Sequence, residues 1–142
     1  MLYVKSVTIP AGTYPPKFAG ETFEIEEDYI TKIAVFFPPG HCCLTGISFW
    51  YGEWQFFPYR EYEYLKGDNM FIESKLLFRC PEKPTRIRMK VYNEGKYDHT
   101  VYVYIEALNE DEIETFAKRM VSEVSGLRKA LMNFMRYLFR LR

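Results

Sequence analysis

Over residues 1–107, apolar and polar positions alternate with a period of two in short runs. Clear examples are residues 3–9, 29–37 and 86–92, which are rich in β-branched or aromatic side chains. Runs of this kind, bounded by Pro, Gly, Asn or Asp, are typical of half-buried β-strands. The pattern predicts about eight strands, and because no helical pattern separates them, it excludes sequential βαβ units. We therefore expect a mainly β fold, a jelly-roll-like antiparallel β-sandwich.

From Asn109 onward, the spacing of the apolar residues changes. The gaps alternate between four and three residues, which is the 3.5-residue period of a coiled-coil seam. Asn109 is a candidate N-cap, and Glu112 is placed to complete a capping box. The sequence thus predicts a β-sandwich domain at 1–107 and one long C-terminal helix at 109–142. The predicted seam, which we expect to be an oligomer interface, consists of Ile113, Ala117, Met120, Val124, Leu127, Leu131, Phe134, Leu138 and Leu141.

The apolar face of this predicted helix is wider than a two-stranded coiled coil requires. Phe116, Val121, Ala130 and Met135 extend it into heptad positions that carry charge in a simple zipper. This width favours a bundle of three or more helices, and we expect a homo-oligomer of roughly three to six subunits. The alternative is a helix that packs on the β-sandwich of its own chain.

Charge is balanced overall but unevenly distributed along the predicted helix. The sequence has 19 basic and 19 acidic residues, so no global charge indicates a nucleic-acid partner. Acidic residues dominate the start of the helix, an order that complements the helix dipole. The basic end also permits contact with nucleic acid or, as a peripheral amphipathic helix, with an anionic membrane. Its basic residues are Arg128, Lys129, Arg136, Arg140 and Arg142.

The segment 49–64 contains more aromatic side chains than a small core can hold. Some of them are therefore expected on the surface, where clustered aromatic rings mark binding sites. On a β-sandwich, such rings stack against sugars in carbohydrate-binding modules or pack against a neighbouring protein, and the coiled-coil pattern favours a neighbouring protein. The predicted partner or glycan surface consists of Trp50, Trp54, Tyr59, Tyr62 and Tyr64.

Candidate catalytic and metal-binding residues are few. His41, Cys42 and Cys43 are adjacent, but successive side chains of a strand point to opposite faces and do not converge on one ion. The sequence contains no GxGxxG motif, no Walker A motif and no nucleophile-elbow signature. We therefore expect a protein that is not an enzyme and that uses no cofactor.

Cysteine content and hydropathy bear on the cellular compartment. The 3 cysteines are an odd number without CxxC spacing, which favours a reducing environment. The sequence shows no signal peptide and no segment that could span a membrane, so we expect a virion or cytoplasmic location. Scarce Gln and abundant Lys and Glu suggest a thermophilic source.

Three stretches resemble a group of small β-sandwich proteins of viruses and prophages. They are residues 8–13, residues 33–40, and the pair of segments 91–93 and 99–101. The resemblance spans most of residues 1–107 and transfers no functional residue. It implies a virion component, such as a decoration, spike or minor capsid protein, and possible contacts with other virion proteins. The predicted helix is not part of the resemblance.

Overall fold

The computed structural model describes residues 1–140, without the side chains of residues 138 and 139. The chain divides into two compact units, Met1–Leu108 and a second unit that begins at Asn109. Three residues named in the sequence analysis therefore lie outside the described part, Leu138 by its side chain and Leu141 and Arg142 entirely.

The first unit consists of β-strands, as predicted. Within the described residues they are β1 (Leu2–Ile9), β2 (Thr22–Ile25), β3 (Tyr29–Phe37), β4 (Thr45–Tyr51), β5 (Trp54–Phe57), β6 (Leu65–Lys66), β7 (Met70–Arg79), β8 (Thr85–Asn93) and β9 (His99–Leu108). They form two antiparallel sheets. In the first sheet, the strand order is β1-β9-β3-β7. The second sheet has the order β2-β8-β4-β5, and β6 pairs with the other end of β4.

The strand pairing is that of a jelly roll. β1 pairs with β9, β2 with β8, β3 with β7, and β4 with β5. Each pair nests inside the previous one, as though one long hairpin had been rolled into two sheets. Pairing of β9 with β3 and of β8 with β4 completes the sheets. This nesting defines the jelly-roll class of β-sandwich and confirms the predicted fold class.

The core forms because each sheet turns one side of its alternating strands inward. In β8, for example, Ile87 and Met89 are fully buried, whereas Arg86 and Arg88 are exposed. Side chains of both sheets belong to one continuous buried cluster. Its largest members include Phe23, Phe37, Phe49, Ile33, Ile47, Ile87, Met89 and Ile105.

The second unit contains the single helix α1 (Glu110–Arg140). Its start follows the predicted capping arrangement, because the backbone N–H of Asn109 donates to Glu112 Oε2 at 2.8 Å. The i,i+4 pairs Glu114–Lys118 and Glu123–Arg119 lie along its exposed surface. With 31 residues at about 1.5 Å per residue, α1 is about 46 Å long.

Candidate functional site

The apolar face of α1 is the most extensive candidate interaction surface. Of the predicted seam residues whose side chains are described, Ile113 is half-buried and the remaining six are exposed, with Leu127 at 72%. The flanking residues Phe116, Val121 and Met135 are exposed as well. Tyr137, which the sequence analysis did not assign to this face, extends it towards the end of the helix. In this structure, α1 therefore presents an apolar face about five turns long to solvent.

The polar face of α1 carries the basic residues singled out above. Arg128, Lys129 and Arg136 line a shallow depression of about 400 Å³ together with Ser125, Met132 and Asn133. In the part of the helix that the structure describes, none of these three basic side chains forms an ion pair. The depression is thus positively charged and solvent-facing. It remains the candidate contact for an anionic partner.

Trp54 and Tyr59 of the predicted aromatic surface line one cleft. The cleft has a volume of about 350 Å³ and also contains Glu53, Gln55 and Glu61. Two exposed aromatic rings beside two carboxylates can stack on a sugar ring and accept hydrogen bonds from its hydroxyl groups.

Buried Gln55 holds the loop between β5 and β6 that forms one side of this cleft. Its Nε2 donates to the carbonyl oxygens of Pro58, Arg60 and Glu63 at 3.0, 2.9 and 2.7 Å. Its Oε1 accepts from the backbone N–H of Tyr62 at 2.9 Å. One side chain thus satisfies four backbone groups of a loop that has no regular structure of its own. The cleft therefore has a fixed wall.

The prediction for Trp50 is wrong, because its side chain is only 4% exposed. The indole Nε1 donates to Ser48 Oγ at 2.8 Å, and Lys90 Nζ lies 3.7 Å from the centre of the ring. This lysine from β8 covers the indole, a contact that local sequence does not reveal.

The other tyrosines of the predicted aromatic surface do not line the cleft. Tyr64 is half-buried, stacks on Phe18 and meets the edge of Tyr92. Burial raises the pKa of its hydroxyl. Tyr62 has an exposed side chain, and its structural contribution is the backbone hydrogen bond to Gln55.

A second aromatic surface, which the sequence analysis missed, lies on the outer face of the first sheet. Phe36 and Tyr102 have ring centroids 6.2 Å apart, and those of Phe71 and Tyr104 are 6.1 Å apart. The strand register places Tyr102, Phe36 and Phe71 opposite one another across β9, β3 and β7. The alternation in β9 was the available signal, since it assigns both tyrosines to the face opposite its valines.

His41 belongs to the interior rather than to a metal site. It is 1% exposed, and its Nε2 donates to the carbonyl oxygen of Thr100 at 3.1 Å. Its Nδ1 therefore accepts from Thr45 Oγ1, 2.5 Å away. The ring centroid lies 4.4 Å from that of His99. Burial, and then repulsion by the positive charge of His99, lower the pKa of His41.

The cysteines do not assemble with histidine or carboxylate side chains into a metal site. Cys42 and Cys43 are exposed and Cys80 is half-buried. Among residues 1–140, no three His, Cys, Asp or Glu side chains converge in a way that could hold an ion. No helix in the described part of the chain combines the length and the apolar character needed to cross a bilayer.

Comparisons with protein-family models, with curated protein sequences and with solved structures found no match. The surfaces described above are therefore interpreted from their own geometry.

Proposed function

We propose that this protein is a non-enzymatic structural component that self-assembles through α1, most plausibly as part of a virion. The observation that carries the proposal is the continuous exposed apolar face of α1, from Ile113 to Phe134. Burial of a large apolar side chain contributes about 1.5–3 kcal/mol, so such a face supplies a strong driving force even after the entropic cost of association.

The breadth of the apolar face supports an assembly larger than a dimer. Phe116, Val121 and Met135 flank the seam residues and are exposed. In a two-helix pair these positions stay at the solvent-facing edge, whereas additional neighbouring helices cover them. We infer a ring of roughly three to six subunits.

The jelly-roll order of the strands supports the assignment to a virion. Jelly rolls occur in viral capsid domains and also in lectins, so the fold narrows the choice without deciding it. In this proposal, the exposed aromatic surfaces of the sandwich contact neighbouring subunits or other virion proteins. The alternative of a seam that packs on the sandwich of its own chain predicts a monomer.

The first experiment compares the full chain with a seam variant that carries Leu127→Asp and Leu131→Asp. Multi-angle light scattering should give three to six chains for the unsubstituted protein and fewer than three for the variant, because buried carboxylates oppose helix association. The matched control carries Ser122→Asp and Asn133→Asp, which add the same charge on the polar face and should preserve the oligomer. A monomeric unsubstituted protein, or a seam variant of unchanged mass, would refute the proposal.

The cleft at Trp54 favours carbohydrate binding as a second candidate function. Trp54 and Tyr59 are exposed beside Glu53 and Glu61. The protein has 2 tryptophans, and the other, Trp50, is buried, so a ligand in the cleft should change the fluorescence of Trp54. We expect a saturable response to a bound polysaccharide that Trp54→Ala abolishes and Trp50→Phe preserves. A flat signal across a broad set of polysaccharides would exclude this function.

A further inference from the structure

The outer edge of β7 is long and regular, and among residues 1–140 no other strand pairs with it. β7 has 10 residues and ends the order β1-β9-β3-β7. Its burial alternates along its length, and it contains no proline. Natural proteins usually protect such edges with prolines, bulges or short strands, because an open edge is a template for pairing with another chain.

The sequence of β7 is complementary to itself when it is reversed about Ser74. In an antiparallel pair of two β7 strands centred there, Glu73 of each copy lies opposite Lys75 of the other, and Phe71 lies opposite Leu77. Ile72 and Leu76 face each other on the core side. The register keeps exposed residues opposite exposed residues and inner residues opposite inner ones. Cross-strand pairs of opposite charge, and of aromatic with aliphatic side chains, stabilise a sheet.

Lys75 lacks a partner that this register would supply. It lies directly opposite Lys32 in the pairing of β3 with β7, and like charges in that position are unfavourable. Lys32 has Glu73 at 3.7 Å and Glu106 at 3.9 Å, whereas Lys75 forms no ion pair within residues 1–140. Glu73 of a second copy would extend the row from Glu106 through Lys32 to Lys75 with a carboxylate.

The apolar side chains at the edge are also incomplete in one chain. Phe71 is 53% exposed and Leu77 is 69% exposed, although both belong to a regular strand. Phe71 ends the aromatic row that begins with Tyr102 and Phe36. In the self-paired register, Leu77 of the second copy covers the open side of Phe71 and continues this row.

We propose that β7 pairs antiparallel with β7 of a second copy across a two-fold axis at Ser74. Two four-stranded sheets then join into one continuous sheet across the dimer. The arrangement is isologous, since each copy contributes the same surface. It is independent of the seam on α1 and does not rest on the function proposed above.

A cysteine at the two-fold axis tests the register directly. In the full chain with Cys42→Ser and Cys43→Ser, Ser74→Cys would place two cysteines opposite each other, with Cα atoms about 4.5–5.5 Å apart and within the range of a disulfide. The matched control is Ser6→Cys on β1, the other edge strand of the same sheet. Copper–phenanthroline oxidation should yield at least about fivefold more disulfide-linked dimer from Ser74→Cys. Equal yields would refute the proposal, particularly since Ser6 is the more exposed serine.

Charge reversal supplies the second measurement. In the full chain that carries the seam substitutions, Glu73→Lys or Lys75→Glu sets like charges against each other twice across the axis. Each single variant should raise the dimer dissociation constant about tenfold in sedimentation analysis. The double variant restores opposite charges and should recover the original affinity to within about threefold. A double variant as weak as the singles, or singles that bind like the parent, would contradict the pairing whether or not α1 proves to be an assembly device.

Discussion

At the scale of single residues, His41 couples the stability of the fold to pH. The folded protein holds this side chain neutral between Thr45 and Thr100, and its pKa is lowered by burial and by His99. In the unfolded chain, the same imidazole titrates near its ordinary value of about 6.5. Below that pH, the unfolded state therefore binds more protons than the folded state does.

We predict that the free energy of unfolding decreases as the pH falls from 7.5 to 5.5. The contribution of His41 is fully present above its unfolded pKa and is lost progressively at lower pH, because protonation then favours the unfolded chain. Urea denaturation at the two pH values measures the difference. The variant His41→Asn, which retains one donor and one acceptor, should show a smaller difference, and an unchanged difference would exclude His41 as its source.

The residue scale also shows where local pattern stops being informative. Alternation along β4 places Trp50 on the outer face of its sheet, which is correct, but Lys90 of β8 covers the ring. Phe36, Phe71 and Tyr102 belong to β3, β7 and β9, and they meet only because the jelly roll brings these strands together. Period two therefore predicts the face of a side chain, whereas its neighbours depend on long-range pairing.

At the scale of secondary structure, most strand boundaries followed from the sequence because half-buried strands impose a visible alternation. The two-residue strand β6 was missed, since two residues cannot display a period. The segment of β7 could be interpreted as two short strands or one bent strand, and it is a single strand of 10 residues. The 3.5-residue period predicted α1, but a period alone does not reveal which chain covers the apolar face.

Gly126 offers a test of how α1 is stabilised. A Cβ added there meets no atom within 4 Å, and alanine loses less conformational entropy than glycine in a helix. Gly126→Ala should therefore raise the stability of the helix by about 0.5–1 kcal/mol, measured by thermal melting at 222 nm. The control Gly52→Ala introduces a side chain at φ +58° and should destabilise the protein. Destabilisation by Gly126→Ala would indicate that a close helix contact needs the bare glycine.

At the scale of the whole molecule, the two proposed interfaces have different symmetries. The seam on α1 would relate several copies around one rotation axis, whereas the edge of β7 would relate copies in pairs. A rotation axis combined with separate two-fold contacts generates either a closed dihedral particle or an extended lattice. A chain with both interfaces is thus suited to building large assemblies from one type of subunit.

The position of β9 has a consequence for the order in which the protein can form during synthesis. β9 lies between β1 and β3 in the first sheet, although it is the last strand to be made. Until it emerges from the ribosome, β1 has no neighbour in its sheet, and the inner faces of both strands lack their cover. Such long-range closure slows folding. Because α1 is synthesised only after β9, its apolar face becomes available only once every strand needed to close the sandwich has been made.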